Sequence, residues 1–167
     1  EQCFIGPFTR QHGVRYITAD LESPWAKVHM DIHQMPFPDA SFDAVLCNHV
    51  LEHVADDIQA MHEIHRVLKP GGKLLLHVPF EKERRYRHHD PAEPNHHLFS
   101  WNVQTLGNLV TEAGFVLESA GLGQFGYDRA AAIGACKFKL GENGFRLLRS
   151  LAHVVLPAAE VRVVATK

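Results

Sequence analysis

The stretch from Phe42 to Phe80, FDAVLCNHVLEHVADDIQAMHEIHRVLKPGGKLLLHVPF, constrains this chain more than any other. Phe42 to Cys47 is a short apolar run with the length and composition of a strand buried on both faces. A polar cluster, Asn48, His49, Glu52 and His53, follows where that strand ends. Asp56 and Asp57 offer an N-cap and negative charge for a helix start. Ile58, Met61, Ile64, His65 and Leu68 then recur at helical spacing, so one face packs inward. Lys69 suits the negative C-terminal end of the helix, and Pro70-Gly71-Gly72 stops it. Leu74, Leu75, Leu76 and Val78 form the next buried run, which Pro79 ends. A strand, a helix and a strand joined this tightly make the two strands parallel neighbours.

The rest of the chain extends that unit on both sides. Val14 to Ala19 predicts a strand ending at Asp20, and Ala26 to Ile32 a second ending near Asp31. Leu21 to Trp25, the link between them, is too short for a crossover helix. Either the crossover is an abbreviated loop or the two strands are antiparallel. Glu81 to Phe99 holds no periodicity, three prolines and clustered Arg84, Arg85 and Arg87, and reads as a long loop. Ser100 is expected to cap a helix whose Val103, Leu106, Leu109 and Val110 face the core, with Gly114 at its end. Phe115 to Ser119 predicts a strand, and Gly121 to Gly134 an irregular glycine-rich stretch. A helix is expected from Asn143, and Glu160 to Thr166 predicts a closing strand.

Composition narrows the function classes. A chain of 167 residues is read as one domain, 1–167, with an ordinary soluble balance of 46% apolar and 22% charged residues. A net charge of −2 gives no field for nucleic acid or an anionic membrane. Three scattered cysteines form no CxxC and no even framework, which suits a reducing cytoplasm. No apolar run approaches the about 20 residues of a membrane span, and the start carries no signal-peptide pattern. Because the chain begins at Glu1, a processed form or a fragment is expected.

The order MPFPDASFDAVLCNHVLEHV, then EIHRVLKPGGKLLLHVPF, resembles the class I S-adenosylmethionine-dependent methyltransferases, of the methyltransferase type 11 kind. The resemblance implies a Rossmann-like, three-layer α/β fold, mostly parallel, with an antiparallel C-terminal edge. It favours the abbreviated parallel crossover between the first two strands here. That family also has an earlier strand followed by a glycine-rich turn, and nothing upstream of Asp20 supplies one. The fold is therefore expected to be N-terminally truncated, with sheet edges exposed that invite a homo-oligomer.

In open α/β sheets, ligands lie beyond the carboxyl ends of the strands, which singles out Asp20, Asp31, Asn48 and His49. The resemblance makes Asp20 the ribose-binding acid. Asp31 and Ile32 become the adenine-binding pair, and Asn48 and His49 lie under the methionine part of S-adenosylmethionine. The implied function is methyl transfer from that cofactor to a small-molecule acceptor. The alternative is a non-catalytic binding or scaffold module that has lost the cofactor. His49, Glu52 and His53 follow the strand and are placed to line the transfer site, with His49 and His53 as the candidate catalytic bases. The competing reading has His53 packing the start of the helix and Glu52 solvated. Met35 and Phe37 read as core or adenine-side packing. His88, His89, Asp90, His96 and His97 are metal-ligand types, but their spacing fits no standard zinc pattern. The loop is read as a solvated lid and no metal ligand is assigned. A metal-dependent hydrolase using these histidines is the remaining rival.

Overall fold

A computed structural model describes residues 13–82, 96–123 and 160–167, and the backbone of residues 85–86. Two short strands open it, β1 (Ala19–Asp20) and β2 (Val28–His29). They pair in parallel, Ala19 opposite Val28 and Asp20 opposite His29. The crossover is thus the abbreviated loop, and hydrogen bonds show how so short a link closes. Asp20 Oδ1 accepts from the amides of Glu22 and Ser23 at 3.0 and 2.9 Å, turning the chain at once. Lys27 and Val28 then donate their amides to Thr18 O, at 2.9 and 3.1 Å.

The main sheet holds β3 (Phe42–Asn48), β4 (Leu68–Pro79), β7 (Val116–Gly123) and β8 (Glu160–Thr166). Their order is β3-β4-β8-β7. The pair β3 and β4 is parallel, while β8 runs antiparallel to both β4 and β7. Helix α1 (Asp57–Val67) makes the crossover from β3 to β4, and a 3-10 turn at Leu51–His53 precedes it. A ribbon of β5 (Arg85–Tyr86) with β6 (Phe99–Ser100) leads into helix α2 (Val103–Glu112). The expected antiparallel C-terminal edge is present, and the closing strand has the predicted limits. Asn143 and most of Gly121 to Gly134 lie outside the described residues.

Helix α1 begins as the sequence predicts, with Asp56 accepting from the amide of Gln59 at 3.0 Å. Its end differs in detail. The helix stops at Val67, and Leu68 already pairs with Phe42, so Pro70-Gly71-Gly72 lies inside β4 as an irregularity. Lys69 turns away from the helix end to Asp43, 2.7 Å away. Lys167 supplies the cation instead, donating to Arg66 O and Leu68 O at 3.3 and 2.8 Å. Gly72 is required because a Cβ there would stand 2.8 Å from Lys69 O.

Ser100 is not the cap of α2. It is buried in β6 and donates to Glu81 Oε2, while Asn102 and Thr105 form a reciprocal capping box. The strand expected at Phe115 to Ser119 runs to Gly123 because β8 pairs with it along its whole length. Within the loop expected from Glu81 to Phe99, the β5–β6 ribbon adds two pairs of residues the pattern did not show.

The sheet is not buried on both faces. Along β4 the buried residues alternate, Leu74, Leu76 and Val78 inward, while Leu75 is exposed. In β3, Asp43 and Ala44 are exposed and Cys47 is the buried member. The reason is that both described helices lie on one face. His65 of α1 meets Phe115, just beyond α2, edge-on at 4.9 Å between ring centroids. Between them and the sheet sit Met61, Ile64, Leu106, Val110, Val161 and Val163.

Side chains of α1 tie the segment that follows β2 to this body. Arg66 of α1 donates from Nη1 to Phe37 O and Asp39 Oδ1, from Nη2 to Met35 O, and from Nε and Nη2 to Glu63. Glu63 Oε2 in turn accepts the amide of Met35 at 2.9 Å. The guanidinium beside it holds the Glu63 carboxyl below its usual range, and the Met35 amide adds to that.

Two outcomes are expected. Gly72→Ala should lower stability by about 1–3 kcal/mol through backbone overlap. Gly121→Ala, whose Cβ meets nothing within 4 Å, should be near neutral in the same urea titration. A carboxyl depressed on folding stabilises above its unfolded pKa and loses that contribution as pH falls through the folded value. Glu63→Gln should therefore cost roughly 1.5–3 kcal/mol at pH 7. Its deficit should shrink as denaturation curves are taken below pH 4.5.

Candidate functional site

The carboxyl ends of β1, β2 and β3 converge on one cavity of about 610 Å³. Such a volume lies within the common range for small-molecule sites. Asp20, Asp31, Ile32, Asn48, His49 and His53 all line it, whereas Glu52, also expected at the transfer site, does not. The cavity separates residues 15–21 from β3, and among the described residues no strand pairs with either across it. Its wall along β3 is apolar, with Phe42, Ala44 and Val45, and it becomes polar where the strand ends. Met30, Ile32, Met35 and Phe37 make an apolar shelf beyond β2. Phe37 is braced edge-on by Phe42 at 4.9 Å.

Asp20 is both a structural and a presented carboxylate. The amides of Glu22 and Ser23 hold it below the usual carboxylate range and consume Oδ1. Oδ2 accepts no hydrogen bond among the described residues. Asp31 is anchored in the same way, by the amide of His33 and then by its ring Nδ1 at 2.6 Å. It remains exposed and charged beside Ile32.

At the end of β3 the backbone turns sharply, and His49 takes a φ of +52°. That left-handed turn is held by its amide, which donates to His77 O at 2.9 Å. Asn48 Oδ1 accepts from His77 Nδ1 at 3.0 Å, which leaves the Asn48 amide nitrogen to donate elsewhere. Burial keeps the His77 ring below its ordinary pKa.

His49 lies between two carboxylates that sequence reasoning did not place. Its Nε2 is 3.2 Å from Glu160 Oε2, and its Nδ1 is 3.2 Å from Glu52 Oε1. Glu160, at the start of β8, is buried. Burial opposes its charge, but His49 and Arg162 outweigh that and hold the carboxyl below its usual range. Arg162 reaches it through Nε at 2.6 Å. Glu160 and then Glu52 raise the His49 ring to about 9. At neutral pH His49 therefore holds its proton, and the base role considered for it is not one this pairing supports. Glu52 is fully buried rather than solvated, with Leu98 N donating to its carbonyl at 2.6 Å. Nothing in the local pattern announces Glu160, which is far along the chain and joins the site only through the β4–β8 pairing. Cys47 is no nucleophile, since burial pushes its thiol up to about 12. His88, His89 and Asp90 lie outside the described residues.

Residues 9–76 match the family described as methyltransferase domain. The chain is 36% identical over 97 residues to a "probable S-adenosylmethionine-dependent methyltransferase" of Mycolicibacterium smegmatis, covering 58% of this chain and 37% of that protein. It is also 36% identical over 84 residues to the ubiquinone/menaquinone biosynthesis C-methyltransferase of Pseudoalteromonas translucida, covering 50% of this chain and 32% of that one. The chain is thus similar, over residues 9–76 and over these aligned stretches, to S-adenosylmethionine-dependent methyltransferases. It spans about a third of the length of these relatives. The fold agrees with the family. The S-adenosylmethionine-dependent methyltransferase of Mesorhizobium loti superposes with a TM-score of 0.61 at 17% identity, over 98% of this chain and 86% of that one. No helix among the described residues is long and apolar enough to cross a membrane.

The double duty of Asp20 makes a prediction. Asp20→Asn keeps an acceptor for the Glu22 and Ser23 amides and should leave the urea midpoint nearly unchanged. Asp20→Ala orphans both amides and should cost about 1–2 kcal/mol.

Proposed function

We propose that this chain, as one domain, binds S-adenosylmethionine in the cavity beyond β1, β2 and β3 and directs its methyl group to a small-molecule acceptor. The observation that carries the reading is the convergence of Asp20, Asp31, Ile32 and Asn48 on one cavity. The match of residues 9–76 to the methyltransferase domain family supports it. When bound, the cofactor supplies an electrophilic methyl group on a sulfonium.

Each residue has a physical task in this reading. Asp20 offers Oδ2 to the ribose hydroxyls, its charge preserved by the turn amides. Asp31 accepts from the adenine amine while Ile32 covers the ring. The Asn48 amide nitrogen, left over by His77, donates to the methionine carboxylate. His49 and His53 stand at the acceptor end. Protonated His49 acts as a fixed cation that positions Glu52 and Glu160, and His53 lines the route of approach. Displacement at a sulfonium methyl depends on alignment of the acceptor more than on a strong base.

Asp20→Asn separates binding from folding. Calorimetric titration with S-adenosylhomocysteine should show affinity weakened roughly ten- to a hundred-fold, the worth of one charge-assisted hydrogen bond at about 1.5–3 kcal/mol. Equal affinity for wild type and Asp20→Asn would remove Asp20 from the ribose site. Absence of binding by either, in folded protein, would favour the scaffold reading over the enzyme.

A further inference from the structure

We propose that Glu52, His53 and His97 form a binding site for a divalent transition-metal ion of the zinc type, at the acceptor rim of the cavity. The donor atoms of these three side chains all lie within 4.8 Å of one another. Glu52 Oε1 and His53 Nε2 are 4.0 Å apart, and the rings of His53 and His97 stand 4.9 Å apart between centroids. Tetrahedral ligands at about 2.0–2.1 Å from zinc are roughly 3.3–3.4 Å from each other. Side-chain adjustments of about an ångström therefore close the set around an ion.

A second observation points independently to a cation. Glu52 is fully buried, yet neither of its carboxylate oxygens accepts a hydrogen bond among the described residues. His49 approaches Oε1 at 3.2 Å, an ion-pair distance without hydrogen-bond alignment, and that ring is shared with Glu160. With the one His49 cation divided between two carboxylates, and no hydrogen bond to either Glu52 oxygen, a second positive charge would complete the surroundings of this buried group. Two imidazoles and one carboxylate are the donor set of a borderline-soft ion, and not of calcium or magnesium, which favour all-oxygen shells.

The backbone holds the three ligands in place without the metal. Glu52 and His53 sit on the 3-10 turn, where His53 N donates to Val50 O. His97 is brought across by the neighbouring amide, Leu98 N to Glu52 O at 2.6 Å. Three protein ligands leave a fourth position open. Because His53 also lines the cavity, the site adjoins it, and a bound ion would offer a position for an oxygen or nitrogen ligand. The loop histidine that fits no sequence spacing thus finds its partners on another element.

The test uses untagged protein, dialysed against a chelator and titrated calorimetrically with zinc sulfate, then with cobalt(II) to read visible d–d absorption. The expected result is one saturable site with tetrahedral-type cobalt bands. Glu52→Gln and His97→Ala should each weaken zinc by at least the roughly 10–100-fold that loss of even an outer-shell partner costs. His96→Ala should bind as wild type. His97→Ala, in a loop segment, keeps the test decisive if Glu52→Gln fails to fold. No saturable zinc binding, or binding unchanged in folded His97→Ala, would overturn the proposal. Neither readout depends on methyl transfer, so this site stands or falls apart from the cofactor reading.

Discussion

The guanidinium of Arg66 does for this fold what a strand-to-strand hydrogen-bond ladder usually does. The pair β1–β2 shares no ladder with β3 among the described residues. Three hydrogen bonds from Arg66 and one to Glu63 fasten residues 35–39 to helix α1 instead, and two more from Arg66 hold Glu63 in place. A planar fork with several donors suits that work, since it meets backbone carbonyls and two carboxylates in one plane. Asp31 and Ile32 stand just upstream of the fastened loop, so the same network sets where β2 delivers them. The cavity is the space this bracing leaves between β1 and β3.

That network also explains why PFPD and EIHRVLKPGG read as one signature although a strand and a turn separate them. Glu63 and Arg66 clasp the backbone of Met35, Phe37 and the Asp39 side chain. The α/β class, the parallel β3–α1–β4 unit, the Asp56 cap and the limits of β8 were all legible, because each rests on local periodicity or a short-range hydrogen bond. The convergence of Asp20, Asp31, Ile32, Asn48 and His49 on one cavity was legible for a different reason: strand ends in a parallel sheet face one side. What local pattern does not carry is solvent exposure of a sheet face. Leu75 in an apolar run and Ala44 in β3 are exposed because both described helices pack on the other side. The α2 cap at Asn102 was missed because Ser100 is drawn into β6 by its pairing with Arg85 across the ribbon and by Glu81.

Long-range electrostatics were the least legible part. Glu160 reaches His49 only because β8 inserts beside β4, and Glu52 is sealed inward by the turn at Leu51–His53. Together they convert a histidine that looks like a base into a fixed cation. The polar end of the cavity is therefore a set of paired charges on rigid elements. Such a wall can orient an acceptor and hold its position, the task methyl transfer most requires.

The claim on which the rest depends is that the adenosine of the cofactor lies against the end of β2 and its methionine half against the end of β3. Photolabelling with 8-azido-S-adenosylmethionine, followed by peptide mapping, reads that placement directly. The account predicts label on residues 30–37, suppressed by excess S-adenosylhomocysteine. Label confined to other segments, or label that S-adenosylhomocysteine does not displace, would contradict it.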